Sequence, residues 1–192
     1  MRRIAIALCS AILGWMAAPS LGIVQAASNN SAKDSQVHST IKDLMDAVVD
    51  PSADVIWGAS GTIVDKDHGT VELFPKTPEE WMNVRRAAVR IIEGANLLMT
   101  QGRQTAPAGT KSETPGVELE PAEITALINR NRPGFNSFAT TLRSLGWEAL
   151  RASEAKSTDA LLDICGRMQE VCEGCHQAFW YPNASAPYSA GR

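Results

Sequence analysis

The chain has no excess of positive charge. Its 192 residues include 18 lysines and arginines against 21 aspartates and glutamates, which gives a net charge of −3. Nucleic acids and anionic membrane surfaces are bound through basic patches, so this balance argues against both as partners. A mildly acidic chain is compatible with docking to a basic protein.

Long hydrophobic runs are also missing, with one exception at the N-terminus. There the basic residues Arg2 and Arg3 precede an almost wholly apolar stretch over 4–18, and Val24-Gln25-Ala26 has the small-x-small pattern of a cleavage site. This order is typical of a secretory signal peptide. An uncleaved anchor is the alternative, but Pro19 interrupts the run before it reaches the roughly 18 to 20 residues needed to span a bilayer. We predict a signal peptide over 1–26, a disordered polar leader over 27–35 and no membrane attachment after cleavage.

Cysteine is scarce, and its placement is informative. Of the four cysteines, Cys9 leaves with the signal peptide, while two of the others stand in Cys172-Glu173-Gly174-Cys175-His176. This C-x-x-C-H pattern is typical of covalent haem c attachment, in which the two thiols become thioethers and the imidazole ligates iron. Residues three and four apart project from one face of a helix, so all three side chains can meet one macrocycle. The odd Cys165 is expected to pack in the core.

Two other kinds of site use a C-x-x-C pair. A thioredoxin-like dithiol follows a strand in a βαβ pattern, and a structural zinc site needs a second pair of ligands at metal-finger spacing. Neither pattern is visible in the sequence. The predicted cofactor is therefore one covalent haem c held by Cys172, Cys175 and His176. Because haem is attached covalently outside the bacterial inner membrane, this prediction agrees with the export signal and implies a periplasmic protein.

Apolar residues recur at intervals of three and four along four segments, which predicts four amphipathic helices and no strand. The first is expected over 36–57 with a kink at Pro51; the second opens at Pro78 behind the N-cap Thr77. A short helix over 121–131 stops at Pro133, a third long helix covers 135–156, and the fourth runs from about 157 to 179 with the C-x-x-C-H motif on its inner face. The inner stripe of the second helix is predicted to comprise Trp81, Val84, Ala88, Ile91, Ala95 and Leu98. Loops are predicted at 58–77 and 102–120, and a flexible tail at 182–192. Within the first loop, the alternation in Thr70-Val71-Glu72-Leu73 indicates at most a short extended piece.

This pattern favours an all-α fold, an antiparallel four-helix bundle with covalently bound haem c over residues 36–181. A C-x-x-C-H motif in the last turns of the last helix of an exported chain resembles the class II cytochromes c, the family of cytochrome c-prime and its low-spin relatives. The resemblance extends over about 36–181 and is strongest in the last helix. The two long loops depart from the family, as does Trp180, which stands where family members carry a basic residue.

The resemblance implies that a residue of the first helix faces the second side of the iron. Met45, on the inner stripe of that helix, is the candidate sixth ligand; packing is its alternative role, and Met82, Met99 and Met168 are expected in the core. His/Met ligation implies a one-electron carrier rather than an enzyme, with redox proteins as partners and a homodimer among the family's assemblies. Two alternatives remain open: a five-coordinate protein that binds nitric oxide or carbon monoxide, and an electron-relay subunit of a larger redox complex.

Overall fold

Helices make up most of the chain. The computed structural model describes residues 36–67 and 69–184, and the unit that holds its helices begins at Val37. The signal peptide and leader predicted over 1–35 lie outside the described residues, as does the tail from 185 onwards. No helix within the described ranges is long and apolar enough to cross a membrane.

The first helical segment begins five residues later than predicted. It consists of α1 (Ile41–Leu44), a π-helical turn (Met45–Val49) and α2 (Asp50–Gly58), which follow one another directly. Its start is set by a capping box: the Thr40 hydroxyl accepts from the N–H of Asp43 at 3.2 Å, and the Asp43 carboxylate accepts from the N–H of Thr40 at 2.8 Å. The prediction of a helix from 36 was wrong because this cap outweighs the apolar Val37, whose side chain remains 39% exposed.

Pro51 produces a change of helix type. Proline has no N–H to donate to the carbonyl four residues earlier, and its ring crowds that carbonyl. The turn before it is wider, and the N–H of Asp50 donates to the carbonyl of Met45, five residues back. Ser52 satisfies a further carbonyl by donating its hydroxyl to Val48 at 2.6 Å. The kink predicted at this proline thus corresponds to a π-helical turn directly before it.

The segment predicted as a loop over 58–77 contains a β-hairpin. Strands β1 (Gly61–Asp65) and β2 (Gly69–Leu73) pair antiparallel, with Thr62 opposite Glu72. The prediction that the chain has no strand was therefore wrong. Both strands are short and largely exposed. The alternation in Thr70-Val71-Glu72-Leu73 does mark β2, but four residues without a fully buried face are too weak a signal to distinguish a strand from a loop.

Helix α3 (Pro78–Leu98) matches its prediction closely. The Thr77 hydroxyl accepts from the N–H of Glu80 at 3.2 Å, the Glu80 carboxylate accepts from the N–H of Thr77 at 2.8 Å, and Pro78 occupies the first turn. All six residues of the predicted inner stripe are buried. Met82 is 42% exposed, so its assignment to the core was wrong: its position on α3 lies off this stripe.

Three helices complete the described chain: α4 (Pro121–Arg130), α5 (Arg132–Ala155) and α6 (Thr158–Phe179). Pro133 does not separate α4 from α5 in the way predicted, because it lies in the first turn of α5, where a missing N–H costs nothing. The Asn131 side chain caps that turn by accepting from the N–H of Gly134 at 3.2 Å. Ser157 caps α6 in the same way, accepting from the N–H of Ala160 at 3.3 Å.

The long helices enclose one hydrophobic core. Helix α3 packs against α5, α5 against α6, and α2 against both α3 and α6. Helices α3 and α5 approach each other closely at Gly146, because a Cβ at this position would lie 2.9 Å from Cγ1 of Ile92 and 3.2 Å from its backbone nitrogen. Met168 is fully buried, as predicted, and Cys165 packs partly buried against the core.

Candidate cofactor site

A cavity of about 1140 Å³ opens between the first helical segment, the end of α6 and the long loop that follows α3. Three of the four predicted site residues, Met45, Cys172 and His176, contribute to its lining. The fourth, Cys175, is half-buried on the same helix and packs against the core. The fold thus brings a thiol, an imidazole and a thioether, which are separated by up to 131 positions in sequence, to one cavity.

The end of α6 is anchored by aromatic packing. Phe179 is 1% exposed and meets the rings of Phe135 and Phe138 edge to face, with centroid distances of 5.5 and 6.4 Å. A Cβ on Gly174 would lie 3.1 Å from Cε1 of Phe138, so a glycine between the two motif cysteines lets α6 approach α5 at this level. Edge-to-face aromatic pairs favour defined geometries. The last turns of α6, and His176 with them, are therefore held against α5.

The π-helical turn decides which way Met45 faces. In an uninterrupted α-helix, Met45 would share a face with Val49 and Ile56, four and eleven residues later, and both of these are buried in the core. The extra residue in the π turn places Met45 above Asp50, which lines the cavity together with Trp57. Met45 is consequently half-buried: it lines the cavity and also packs against the edge of the core.

The loop between α3 and α4 forms the outer wall of the cavity. Thr105, Lys111, Glu113 and Leu119 are among its lining residues. The loop carbonyls of Gln104 and Thr105 accept from the N–H groups of Ile41 and Lys42, at 2.9 and 2.8 Å, and so satisfy two free donors at the start of α1. The loop predicted over 102–120 is thus irregular in backbone, as expected, yet fixed to the helices.

Three further polar contacts attach this loop to the rest of the chain. The buried Arg103 guanidinium donates to the carbonyl of Ser39 and, at 2.7 Å, to its hydroxyl. Lys42 donates to Glu113 at 2.7 Å, and the N–H of Leu119 donates to the carbonyl of Trp180 at 2.8 Å. The outer wall is therefore attached both to the first helical segment and to the end of α6.

Burial keeps both motif thiols protonated at neutral pH. It raises the pKa of Cys172 to about 11, with a further contribution from Asp50, and the pKa of Cys175 to about 12, with a further contribution from Cys172. A nucleophilic dithiol of the thioredoxin kind needs a lowered thiol pKa, so this environment does not favour that chemistry.

Among the residues that the structure describes, no three His, Cys, Asp or Glu side chains are grouped to hold a metal ion, which gives the zinc alternative no support.

The surroundings of His176 favour the neutral form of its imidazole. Burial lowers its pKa below the usual value, and the carboxylates of Asp50, Glu173 and Glu118 oppose that shift only in part. A neutral imidazole has a free nitrogen lone pair, which is the form that binds metals. The ring also lies beside two aromatic rings, with centroid distances of 5.9 Å to Trp180 and 6.2 Å to Tyr181.

Several lining residues were not identified from the sequence. Trp57 donates its indole N–H to the carbonyl of Cys165 at 3.3 Å, and so ties α2 to α6 beside the cavity. Glu173 and Tyr181 form a hydrogen bond across the last two turns of α6. The charged lining comprises five carboxylates and two ammonium groups: Asp46, Asp50, Glu113, Glu118, Glu173, Lys42 and Lys111. No local pattern marks these residues, because most of them belong to elements that meet only in the folded chain.

Comparison of the chain with known proteins finds no matching family model, no matching curated protein and no matching solved structure.

Proposed function

We propose that this chain is an exported, periplasmic cytochrome of the class II type that carries one covalent haem c and transfers single electrons. The observation that carries the proposal is the cavity of about 1140 Å³ on which Met45, Cys172 and His176 converge. Its volume slightly exceeds the roughly 300 to 1,000 Å³ of ordinary ligand pockets, which suits a large macrocycle.

The packing of the long helices supports the fold that this proposal needs. The first helical segment, α3, α5 and α6 contact one another in a closed ring, α2 with α3, α3 with α5, α5 with α6 and α6 with α2. An antiparallel four-helix bundle has this neighbour relation, and such bundles commonly hold cofactors between facing helices. The β-hairpin and the wall-forming loop are additions to that bundle.

The residues at the cavity fit haem c in their chemistry. Cys172 and Cys175 would hold the group through thioethers, and the neutral His176 imidazole would hold the iron from α6. Met45 would offer its thioether sulfur from the first helical segment. Bound haem c supplies an iron that takes up and releases one electron. The protein would contribute the ligands, the loop wall that excludes water, and the charges near the haem.

The decisive test is an absorption experiment on the haem-loaded protein, oxidised and reduced, with and without carbon monoxide. Wild type is compared with Met45→Ala and with the control Met99→Ala, which removes a half-buried methionine that does not line the cavity. We expect a methionine-to-iron charge-transfer band in oxidised wild type and control, its loss in Met45→Ala, and poor carbon monoxide binding by reduced wild type.

Other outcomes of the same experiment would contradict the proposal. High-spin spectra and ready carbon monoxide uptake by all three proteins would make Met45 a packing residue and favour a gas-binding function. A purified exported chain without covalent haem would contradict the cytochrome assignment altogether.

A further inference from the structure

The carboxylate of Glu173 is held in place on both of its oxygens. Oε2 accepts from the hydroxyl of Tyr181 at 2.8 Å, and Oε1 accepts from the side-chain amide of Gln177 at 2.8 Å. Glu173 stands between the two motif cysteines and lines the cavity. It precedes His176 by three positions on α6, so the two side chains project from the same face of the helix.

Tyr181 is itself firmly positioned. It is 5% exposed, its N–H donates to the carbonyl of His176 at 3.0 Å, and its ring centroid lies 6.2 Å from that of the imidazole. The neighbouring Trp180 is tied to the loop wall through the N–H of Leu119. A buried phenol needs a hydrogen-bond partner for its hydroxyl, and here one partner is a carboxylate, which makes the bond charge-assisted.

We propose that Tyr181 is a positioning residue that holds the Glu173 carboxylate beside the proximal imidazole, and that this fixed negative charge lowers the reduction potential of the iron. The inference rests on the proposed haem function. Ferric iron carries one more positive charge than ferrous iron, so a nearby carboxylate stabilises the oxidised state. The groups around a metal-bound histidine tune the metal in this way. Without the Tyr181 hydroxyl, only the exposed Gln177 amide still holds the carboxylate, which can then turn toward water, where its charge is screened.

The test compares the midpoint potentials of haem-loaded wild type, Glu173→Gln, Tyr181→Phe and the double variant. We expect Glu173→Gln to raise the potential, with a threefold to tenfold increase in the ferrous-to-ferric ratio at fixed poise; tenfold corresponds to about 59 mV for one electron. Tyr181→Phe should raise it by a smaller amount. In the double variant it should add nothing to the effect of Glu173→Gln, because the tyrosine acts through that carboxylate.

A matched control and an independent signal accompany the potentials. Glu170→Gln removes the same charge from an exposed position on α6 outside the cavity and should leave the potential unchanged. In proton spectra of the reduced, diamagnetic protein, the slowly exchanging hydroxyl proton of Tyr181 should be present in wild type and Glu170→Gln and absent from Glu173→Gln. If Tyr181 served only to stabilise the fold, the loss of this proton signal would not be accompanied by a change in reduction potential.

Two results would overturn the inference and leave the haem assignment intact. One is a Glu173→Gln protein whose potential equals that of wild type. The other is a Tyr181→Phe shift that is undiminished in the Glu173→Gln background. Wild type that carries no covalent haem would instead contradict the proposed function on which the inference depends.

Discussion

Gly146 and Gly166 are predicted to respond to the same substitution with opposite signs. Both are glycines inside long helices, where replacement by alanine ordinarily gains about 0.5 to 1 kcal/mol because the unfolded chain loses conformational freedom. Gly166 lies at an exposed position on α6, and a Cβ there would meet no atom within 4 Å. We expect Gly166→Ala to stabilise the protein by this full amount.

At Gly146 the added methyl group would have no space. Its Cβ would lie 2.9 Å from Cγ1 of Ile92, 3.0 Å from Cγ2 of Ile91 and 3.2 Å from the backbone nitrogen of Ile92. Rotation of the isoleucine side chains cannot move the backbone atom, so α3 and α5 must separate. Overpacking of this kind costs about 1 to 3 kcal/mol, which exceeds the gain in helix propensity. We expect a net loss of about 1 kcal/mol for Gly146→Ala.

The assay is urea unfolding of wild type and both variants, followed by helical circular dichroism. The midpoints should lie on either side of wild type with an unchanged m-value, since neither variant alters the surface exposed on unfolding. In thermal melts the two variants should differ by about 3 to 8 °C, because their unfolding free energies differ by about 1.5 to 2 kcal/mol and 1 kcal/mol corresponds to about 2 to 4 °C for a chain of this size. Equal stabilisation by both substitutions would refute the close approach of α3 and α5 at Gly146.

Three further predictions concern the motif, the pH dependence and the cofactor. Cys172→Ser or Cys175→Ser should let acid-acetone extract haem that wild type retains, and His176→Ala should lose the normal haem spectrum; retention of both properties would contradict the assigned roles. Arg167 donates to Glu148 and lowers the pKa of that carboxyl from its usual 4.5. Since a lowered folded-state pKa adds stability above the unfolded value, this contribution should disappear as the pH falls through the folded-state pKa. Glu148→Gln should therefore weaken the loss of unfolding free energy below about pH 4.5, by at most about 1 kcal/mol because the pair is partly exposed. Haem-free protein should be loosely folded, since a bound group stabilises only the native state, and a cooperative melt at the haem-loaded temperature would contradict this.

Local patterns predicted the helices well where one face is buried and a cap is present. The start of α3 followed from Thr77 and Pro78, and its buried stripe followed from the spacing of its apolar residues. The start of the first helical segment and the β-hairpin were missed for related reasons. A capping box at Thr40 outweighed apolar periodicity, and the short alternation in β2 was too weak to distinguish an exposed strand from a loop.

Part of the candidate site could also be predicted from local spacing, and part of it could not. The C-x-x-C-H motif lies within one helix, so its spacing alone put Cys172, Cys175 and His176 on neighbouring turns. The orientation of Met45 depends on the π turn before Pro51, an insertion that shifts the face of every residue on one side of it. The resemblance to the class II cytochromes c nominated this methionine, but the spacing of residues could not decide the direction of its side chain.

The sequence by itself determined the helical character, the cap and proline positions and the motif, because each depends on contacts within a few residues of chain. Tertiary structure alone decided that Met45 and His176 line one cavity, that the loop after α3 closes its outer side, and that Tyr181 bonds Glu173 beside the imidazole. The cavity lining and the loop wall join elements that are far apart in sequence, and the Tyr181–Glu173 bond forms only where packing holds Tyr181 in place. Their geometry is fixed by packing and by buried hydrogen bonds, which leave no periodic trace in the chain.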